Sequence, residues 1–372
     1  MRELFGALLA FWVFAAHVSA DEPITFGHRF IIHSDVLSED RSYRINLPAS
    51  YNNGYSEHYA VLYVLDGETH FFPAAGVVNH MSSGNNANFQ IPELIIVGID
   101  NLRRTRTRDM TPTNSNILPN GSVSKSLAIS GGGDRYLEFL EKELVPHIDA
   151  TYRTKQHRTI FGHSFGGLIA MHSMIARPNL FQGYIAVGSN LWWDEEEIIG
   201  RAQTFVSRTP NIAARIYISN GLIGIESNQP RVSSGKRFVE QLSKSHSSAL
   251  HVKYDSFSDE DRKSVSLVSL YQGLLHTFNG YWLPADNVVF DGAERLTKHY
   301  KNFSELVGVQ FLPSEYFVEI MVRIQGRHMK PGVALGLLEM NAKNYPHSVR
   351  AKDSLVRYKA EMVENVGGTN PK

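Results

Sequence analysis

The chain has 372 residues, of which 42% are hydrophobic and 20% charged, and its 37 Lys and Arg residues balance 37 Asp and Glu residues. This apolar fraction is typical of a soluble globular protein with a sizeable core, which excludes disorder as its main description. Zero net charge argues against nucleic acid as a partner. The absence of cysteine excludes disulfides, a thiolate nucleophile and cysteine-ligated metals, so a covalent mechanism needs another nucleophile.

The first twenty residues have the pattern of a cleavable secretory signal. Arg2 precedes an apolar run from Leu4 to Ala16, and small residues at 18–20 precede the polar Asp21. The run is shorter than the roughly 20 residues that a membrane-spanning helix needs. We therefore expect residues 1–20 to be a signal peptide, and the mature protein to be exported to the periplasm or the extracellular space without a membrane anchor.

Strand and helix patterns alternate along most of the chain. Two strands are predicted at 30–32 and 43–47. Continuous apolar runs, typical of strands buried on both faces, then alternate with helical patterns as far as about residue 283. The predicted strands are 60–65, 93–99, 158–161, 183–187, 216–218 and 250–257, and the predicted helices are 136–148, 167–176 and 235–244. This alternation predicts an α/β fold, a mostly parallel central sheet flanked by helices, over residues 21–303.

Beyond residue 303 the pattern predicts helices alone. Pro313, Pro331 and Pro346 are each placed to open a helix, since the first helical turn tolerates proline. Residues 330–362 have the length and helix-turn-helix texture of one tetratricopeptide unit, which must dock on its neighbours because a single unit cannot bury its own face. Residues 304–372 are therefore predicted to form a small all-α, TPR-like appendage that stabilises the α/β domain or shapes its substrate site.

The residues Gly162-His163-Ser164-Phe165-Gly166 lie between a predicted strand and a predicted helix. This is the G-x-S-x-G pattern of a nucleophile elbow, in the strand–turn–helix context that the motif requires. It makes Ser164 the candidate nucleophile and the backbone amide of Phe165 a candidate oxyanion-hole donor. His163 is predicted to point away from the reacting face and to pack.

Together with this elbow, five further landmarks follow the same order as in a known family. They are 63–68 (YVLDGE), 97–99 with 108–112 (VGI and RDMTP), 131–135 (GGGDR), 191–194 (LWWD) and 269–274 (SLYQGL). From Thr25 to Leu283 the chain resembles the putative esterases of the α/β-hydrolase superfamily, which include siderophore esterases and S-formylglutathione hydrolase-like enzymes. A subgroup of this family is similar in carrying a helical tail. The resemblance implies the α/β-hydrolase fold and hydrolysis of a small-molecule carboxylic ester through an acyl-enzyme on Ser164.

The resemblance also implies further site residues. A backbone amide of Gly67 or Glu68 is the expected second oxyanion-hole donor. Trp192 and Trp193 are expected near the substrate pocket, although buried core tryptophans are an equally good interpretation. Glu226 is the nearest carboxylate to the position of the family's catalytic acid, with a solvated loop carboxylate as the alternative.

The catalytic base is where the sequence departs from the family. Arg262 stands where the resemblance places the catalytic histidine, and a guanidinium stays protonated and cannot accept the serine proton. Three explanations are open. The chain is a catalytically impaired or silent ligand-binding homologue; or His70, or else His276, is a substitute base; or Arg262 recognises an anionic substrate while the acidic residues 259–261 or water act as the base.

Other patterns carry less information. The arginines of 103–108 are candidates for gripping an anionic group, but salt bridges within a loop are the commoner meaning of such spacing. No metal-ligand spacing and no G-x-G-x-x-G fingerprint occur, so no metal and no cofactor are expected. The sequence leaves the oligomeric state open.

Overall fold

The computed structural model describes residues 24–82, 89–101, 104–224, 229–283, 285–325 and 330–367. The predicted signal peptide at 1–20 and the candidate acid Glu226 lie outside these ranges. Within them, no helix is both long enough and apolar enough to cross a membrane.

An eight-stranded sheet organises the α/β part of the chain. Its order is β1-β2-β4-β3-β5-β6-β7-β8. β1 pairs with β2 and β2 with β4 in antiparallel fashion, whereas every pairing from β4 through to β8 is parallel. The strands are His28–Ser34, Glu39–Asn46, Tyr59–Leu65, Leu94–Ile99, Thr154–His163, Gly183–Val187, Ala214–Gly221 and Leu250–Phe257. The predicted α/β-hydrolase architecture, with a mostly parallel sheet, is confirmed.

Helices cover both faces of this sheet. They are α1 Gly67–Ser82, α2 Arg106–Asp109, α3 Gly133–Phe139, α4 Val145–Thr151, α5 Phe165–Ala176, α6 Trp193–Arg208, α7 Pro230–Leu242, α8 Val265–Thr277, α9 Ala285–Val307, α10 Glu315–Gln325, α11 Pro331–Asn344 and α12 Val349–Gly367. A π-helical segment at 140–144 joins α3 to α4. The predicted helix 136–148 is thus one continuous helical stretch from 133 to 151.

The buried side chains form one hydrophobic core on each face of the sheet. In β3, Tyr63 and Leu65 belong to the core beneath α3 to α7, whereas Leu62 and Val64 belong to the core beneath α1 and α8. Alternate residues of a strand point to opposite faces, so a strand buried on both faces is apolar throughout. This is why the pattern of 60–65 predicted a parallel strand.

The C-terminal helices are part of the second core. Tyr300 of α9, Phe317 of α10 and Leu337 of α11 are buried in the same cluster as Phe71 of α1 and Leu274 of α8. Of the three proline-based helix starts, α11 begins at its proline, whereas α10 begins at Glu315 and α12 at Val349. The predicted domain boundary at 303/304 falls inside α9. The likeness to a tetratricopeptide unit stays a prediction.

Candidate active site

Ser164 occupies a strained turn at the carboxyl end of a central strand. It directly follows β5 and precedes α5, with φ of 62° and ψ of −116°. Its amide donates to the carbonyl oxygen of Val187 at the end of the neighbouring strand β6, at 2.9 Å. A positive φ is rare for a residue with a side chain and is retained where the surrounding structure over-determines it. This is the geometry of the nucleophile elbow predicted from the sequence.

The glycines of the elbow have different roles. A Cβ on Gly162 would lie 2.1 Å from the carbonyl oxygen of Gly166, so this position excludes every other residue. A Cβ on Gly166 would meet nothing closer than 3.5 Å, the carboxylate of Asp66. The tight crossing of β5 and α5 therefore requires glycine at 162 and tolerates a small side chain at 166.

Arg262 lies at Ser164. Its Nη2 donates a hydrogen bond to Ser164 Oγ at 2.8 Å, from the loop that joins β8 to α8. Ser164 is only 4% exposed, so this guanidinium lies directly against the hydroxyl group. The position that the sequence assigned to the family's histidine is therefore next to Ser164 in space, and an arginine fills it.

His163 holds the backbone of that loop. Its Nε2 lies 2.8 Å from the carbonyl oxygen of Arg262, and because a carbonyl only accepts, Nε2 carries the proton. Burial lowers the pKa of His163 to about 4. A neutral, half-buried histidine that anchors the Arg262 main chain agrees with the packing role expected of it.

Among the described residues, neither histidine considered as a substitute base is hydrogen-bonded to Ser164. The His70 ring packs against Phe161 and His163, with centroids 5.4 Å and 5.6 Å away, and among the described residues it has no hydrogen bond to Ser164. His276 donates from Nε2 to the carbonyl oxygen of His251, near the amino end of β8. His276 therefore lies at the end of the sheet opposite to Ser164, and the prediction that His276 is a substitute base is wrong.

The acidic residues before Arg262 shape the loop. Asp261 Oδ1 accepts the amides of Lys263 and Ser264 at 2.6 Å and 2.8 Å, and these backbone bonds lower the pKa of its carboxyl. Asp259 accepts a bond from its neighbour Ser258. Hydrogen bonds that stabilise the carboxylate make it a weaker proton acceptor, so Asp261 acts as a turn residue rather than as a base.

The backbone amides proposed for the oxyanion hole belong to two helix starts. Phe165 is the first residue of α5, and Gly67 and Glu68 are the first residues of α1, which follows the adjacent strand β3. Amides in the first helical turn have no acceptor within their helix. A Cβ on Gly67 would lie 2.7 Å from the backbone of Gly98, so the close approach of α1 to β4 requires glycine at position 67. The Glu68 side chain turns to the amide of Asn101, at 3.0 Å.

The two tryptophans have different surroundings. Trp193 is 1% exposed, donates from Nε1 to Thr113 at 3.1 Å and packs edge-to-face on Phe165 at 5.3 Å, so it is a core residue that supports the elbow. Trp192 lines a cleft of about 320 Å³ with Pro230 and the acidic residues 194–196. Its buried Nε1 has no acceptor among the described residues. Of the two tryptophans, Trp192 is the one that lines this cleft.

Two arginines contact the elbow. Arg106 forms a bidentate ion pair with Asp66, with N–O distances of 2.6 Å and 2.7 Å. Arg108 forms ion pairs with Glu39 and Asp109. This part of the 103–108 run is therefore a salt-bridged loop. Burial and the charge of Arg262 lower the pKa of Arg231 to about 10, and burial and the charge of Arg106 lower that of Arg262. Arg106 also donates to the carbonyl oxygen of His163 at 3.4 Å, so Arg106 and Arg262 both contact the elbow.

Comparison with known proteins identifies the class. A mostly parallel sheet with helices on both faces and a strained serine between strand and helix defines a hydrolase of the α/β-hydrolase fold. The family Esterase, described as "Putative esterase", matches residues 34–263, and the chain belongs to this family. It is therefore a carboxylic ester hydrolase.

Individual relatives agree with this assignment. The Ferri-bacillibactin esterase of Bacillus subtilis is 27% identical over 246 residues, which cover 64% of this chain and 85% of the relative. The Siderophore enterobactin esterase of Emericella nidulans is 32% identical over 107 residues, 27% of this chain and 35% of the relative. The crystal structure of an IroE-like serine hydrolase from Shewanella oneidensis superposes with a TM-score of 0.77 at 28% identity, covering 85% of this chain and 99% of that one.

Sequence reasoning missed Arg231 and the Asp66–Arg106 ion pair. Asp66 carries a signal, since it ends a buried strand just before the glycine that starts α1, and has a φ of 54°. Arg231 follows Pro230 at a helix start, and nothing in the local pattern indicates that the charge of Arg262 acts on it. Among the described residues, no group of three or more His, Asp or Glu side chains is placed to hold a metal ion.

Proposed function

We propose that the chain is an exported serine hydrolase that cleaves small-molecule carboxylic esters through an acyl-enzyme on Ser164. The observation that carries the proposal is the strained elbow, with Ser164 at a φ of 62° between β5 and α5. The chain is similar to a Ferri-bacillibactin esterase and to a Siderophore enterobactin esterase. Their names support a small-molecule ester as the substrate. Export rests on the pattern of residues 1–20.

The chemistry is acyl transfer in two steps. Ser164 Oγ loses its proton and bonds to the ester carbonyl carbon, and the carbonyl oxygen becomes an oxyanion. The oxyanion then reforms the carbonyl group as the ester C–O bond breaks, and the alcohol leaves with a proton from water. The amides of Phe165 and of Gly67 or Glu68 stabilise the oxyanion. A water molecule then attacks the acyl-enzyme and releases the acid, returning Ser164 to its hydroxyl form.

Arg262 defines how Ser164 is activated. Its guanidinium, 2.8 Å from Oγ, cannot accept the proton, but a positive charge at this distance favours the deprotonated serine. The proton therefore passes to solvent. Loss of a triad histidine lowers turnover on the order of 10⁶-fold in a protease, so we expect slow hydrolysis that accelerates as pH rises.

The test is hydrolysis of 4-nitrophenyl acetate, together with labelling by a fluorophosphonate that reacts with activated serines. We expect slow turnover and a label on Ser164, both abolished by Ser164→Ala and both retained in Ser207→Ala, an exposed serine on α6. Hydrolysis that persists in Ser164→Ala refutes the proposal that the reaction passes through an acyl-enzyme on Ser164. If the unmodified protein shows neither turnover nor label, the proposed hydrolase activity is refuted and the chain is a silent ligand-binding homologue.

Export has its own test. The full chain expressed in a bacterial host with a secretion pathway is expected to accumulate in the periplasm or medium with its amino terminus near Asp21. A chain that retains Met1 and stays in the cytoplasm contradicts this part of the proposal.

A further inference from the structure

A single guanidinium group connects the ends of two neighbouring strands at the site. Arg106 Nε and Nη2 donate to the two carboxylate oxygens of Asp66, at 2.6 Å and 2.7 Å, and Asp66 directly follows β3. Nη2 also donates to the carbonyl oxygen of His163, the last residue of β5, at 3.4 Å. The guanidinium carbon lies 5.9 Å from the ring centroid of Phe165. Arg106 therefore contacts the segment that leads into α1 and the residues on both sides of Ser164.

Backbone pairing between these two strands ends before the site is reached. The last pair of the β3–β5 ladder is Val64 with Phe161, and Asp66 and His163 each lie two residues further along the chain. Main-chain pairing therefore fixes the spacing of β3 and β5 only as far as that last pair. Beyond it, the Arg106 side chain joins the two segments through a bidentate ion pair, whose planar geometry is well defined.

The backbone amides proposed for the oxyanion hole are adjacent to the residues that Arg106 contacts. Phe165 supplies one amide, and either Gly67, which follows Asp66, or Glu68 supplies the other. Such donors stabilise an oxyanion only when they lie about 2.7–3.1 Å from its position, and small displacements of reacting groups lower the rate strongly. The spacing between the start of α1 and the start of α5 therefore bears directly on the rate.

We propose that Arg106 is a positioning residue, which holds the amide of Gly67 or Glu68 and the amide of Phe165 at the spacing that an oxyanion between them requires. This inference deepens the proposed function and rests on it, because the oxyanion forms only when Ser164 attacks an ester. In the described part of the chain, the hydrogen bonds of Arg106 go to the segments that carry these amides and not to Ser164 Oγ.

Asp66 is the other half of this bridge. It has a left-handed φ of 54° and is 6% exposed, and its carboxylate accepts a further hydrogen bond from Asn101 Nδ2, at 2.6 Å. Asparagine adopts a positive φ more readily than most residues. The substitution Asp66→Asn therefore suits the backbone at this position while it removes the negative charge that pairs with Arg106.

Two substitutions separate the effect of position from the effect of charge. Arg106→Lys keeps the positive charge but replaces the planar fork with one ammonium group, which cannot reproduce the bidentate bond to Asp66 together with the contact to His163. Asp66→Asn leaves the charge of Arg106 without its carboxylate, and an unpaired positive charge near the site favours an oxyanion. A positioning role predicts slower chemistry in both variants, whereas a role through charge alone predicts faster chemistry in Asp66→Asn.

The first measurement is the rate constant for labelling by the fluorophosphonate, which does not require ester turnover. Ser164 Oγ bonds to phosphorus as the P–F bond breaks and fluoride leaves, the serine proton passes to solvent, and the phosphoryl oxygen occupies the oxyanion hole. Loss of one oxyanion-hole donor lowers kcat about 10²- to 10³-fold, so a displaced donor should slow the labelling about 10- to 100-fold in Arg106→Lys and in Asp66→Asn. For 4-nitrophenyl acetate we expect the same fall in kcat, with KM within about 2-fold of the native value.

Arg350→Lys is the matched control. Arg350 also forms a bidentate ion pair, with Glu319 at 2.6 Å and 2.8 Å, and it also lies over an aromatic ring, that of Tyr55 at 4.5 Å, but it belongs to the C-terminal helix α12. This variant should be labelled and should turn over ester at the native rates. Circular dichroism and the thermal midpoint establish that each variant is folded. If Asp66→Asn does not fold, the comparison of Arg106→Lys with Arg350→Lys decides.

The outcomes distinguish this inference from the proposed function. Native rates in a folded Arg106→Lys, or faster labelling of Asp66→Asn, overturn the positioning role and leave the proposed hydrolase intact. A raised KM at unchanged kcat also overturns it, since that result would assign Arg106 to substrate binding. An unmodified protein that is neither labelled nor active refutes the proposed hydrolysis, and the positioning role with it.

Discussion

Arg262→His is the substitution that most directly tests how the site works. In the native chain Nη2 of Arg262 lies 2.8 Å from Ser164 Oγ, and the loop is anchored by His163 at 2.8 Å and by the turn at Asp261. None of these anchors uses the Arg262 side chain. The substitution therefore replaces a proton donor with a possible proton acceptor on an unchanged backbone.

The size of the effect follows from the chemistry of a general base. A positioned base contributes about 10²- to 10⁴-fold to the rate, acting directly or through one water molecule. Histidine is shorter than arginine, so its Nε2 reaches Ser164 through a water molecule unless the loop moves inward. We therefore expect kcat/KM for 4-nitrophenyl acetate to rise about 10²-fold in Arg262→His, toward the lower end of that range.

The comparison variant is Arg262→Gln, which keeps a hydrogen-bond donor and removes the charge without adding a base. The assay is the initial rate of nitrophenol release across the pH range. The positive charge of Arg106, which lowers the pKa of Arg262 in the native chain, should also lower the pKa of the new imidazole below about 6.5, so the rate should rise with pH and level off near neutrality. The reasoning is refuted if a folded Arg262→His is no faster than Arg262→Gln, or if its activity survives Ser164→Ala.

Two further predictions concern stability. Gly162→Ala places a Cβ 2.1 Å from a backbone oxygen and should lower the thermal unfolding midpoint markedly or prevent soluble expression. The control Gly166→Ala, whose Cβ has no atom closer than 3.5 Å, should unfold at nearly the native temperature. Equal midpoints for the two variants would contradict the steric argument. Burial and the charge of Glu93 raise the pKa of Glu57, against the opposing charge of Lys155. The unfolded chain then loses this proton at lower pH than the folded chain, so the free energy of unfolding falls as pH rises above about 4.5. In urea titrations at about pH 5 and pH 8, Glu57→Gln should remove part of that fall, and parallel pH dependences in the two proteins would show that Glu57 does not titrate this way.

Local sequence determined the frame of this protein. Apolar runs such as 60–65 predicted strands buried on both faces because such strands have no polar side to present. Gly162 and Gly166 around Ser164, between a strand pattern and a helix pattern, predicted the elbow because a tight strand-to-helix turn leaves no room for large side chains beside the serine. The sequence also showed that Arg262 replaces the family's catalytic histidine, since the acidic residues before it align the loop with the family's pattern.

Tertiary structure alone decided which charged groups meet. Ser164 and Arg262 are 98 positions apart in sequence, and only the parallel order of β5 to β8 brings the segments that follow β5 and β8 to one end of the sheet. The same geometry gave Arg106 a partner in Asp66 and moved His276 to the opposite end of the sheet. Hydrophobic periodicity reports burial along one segment, whereas a site is built from side chains of several segments, whose proximity depends on strand order and helix placement.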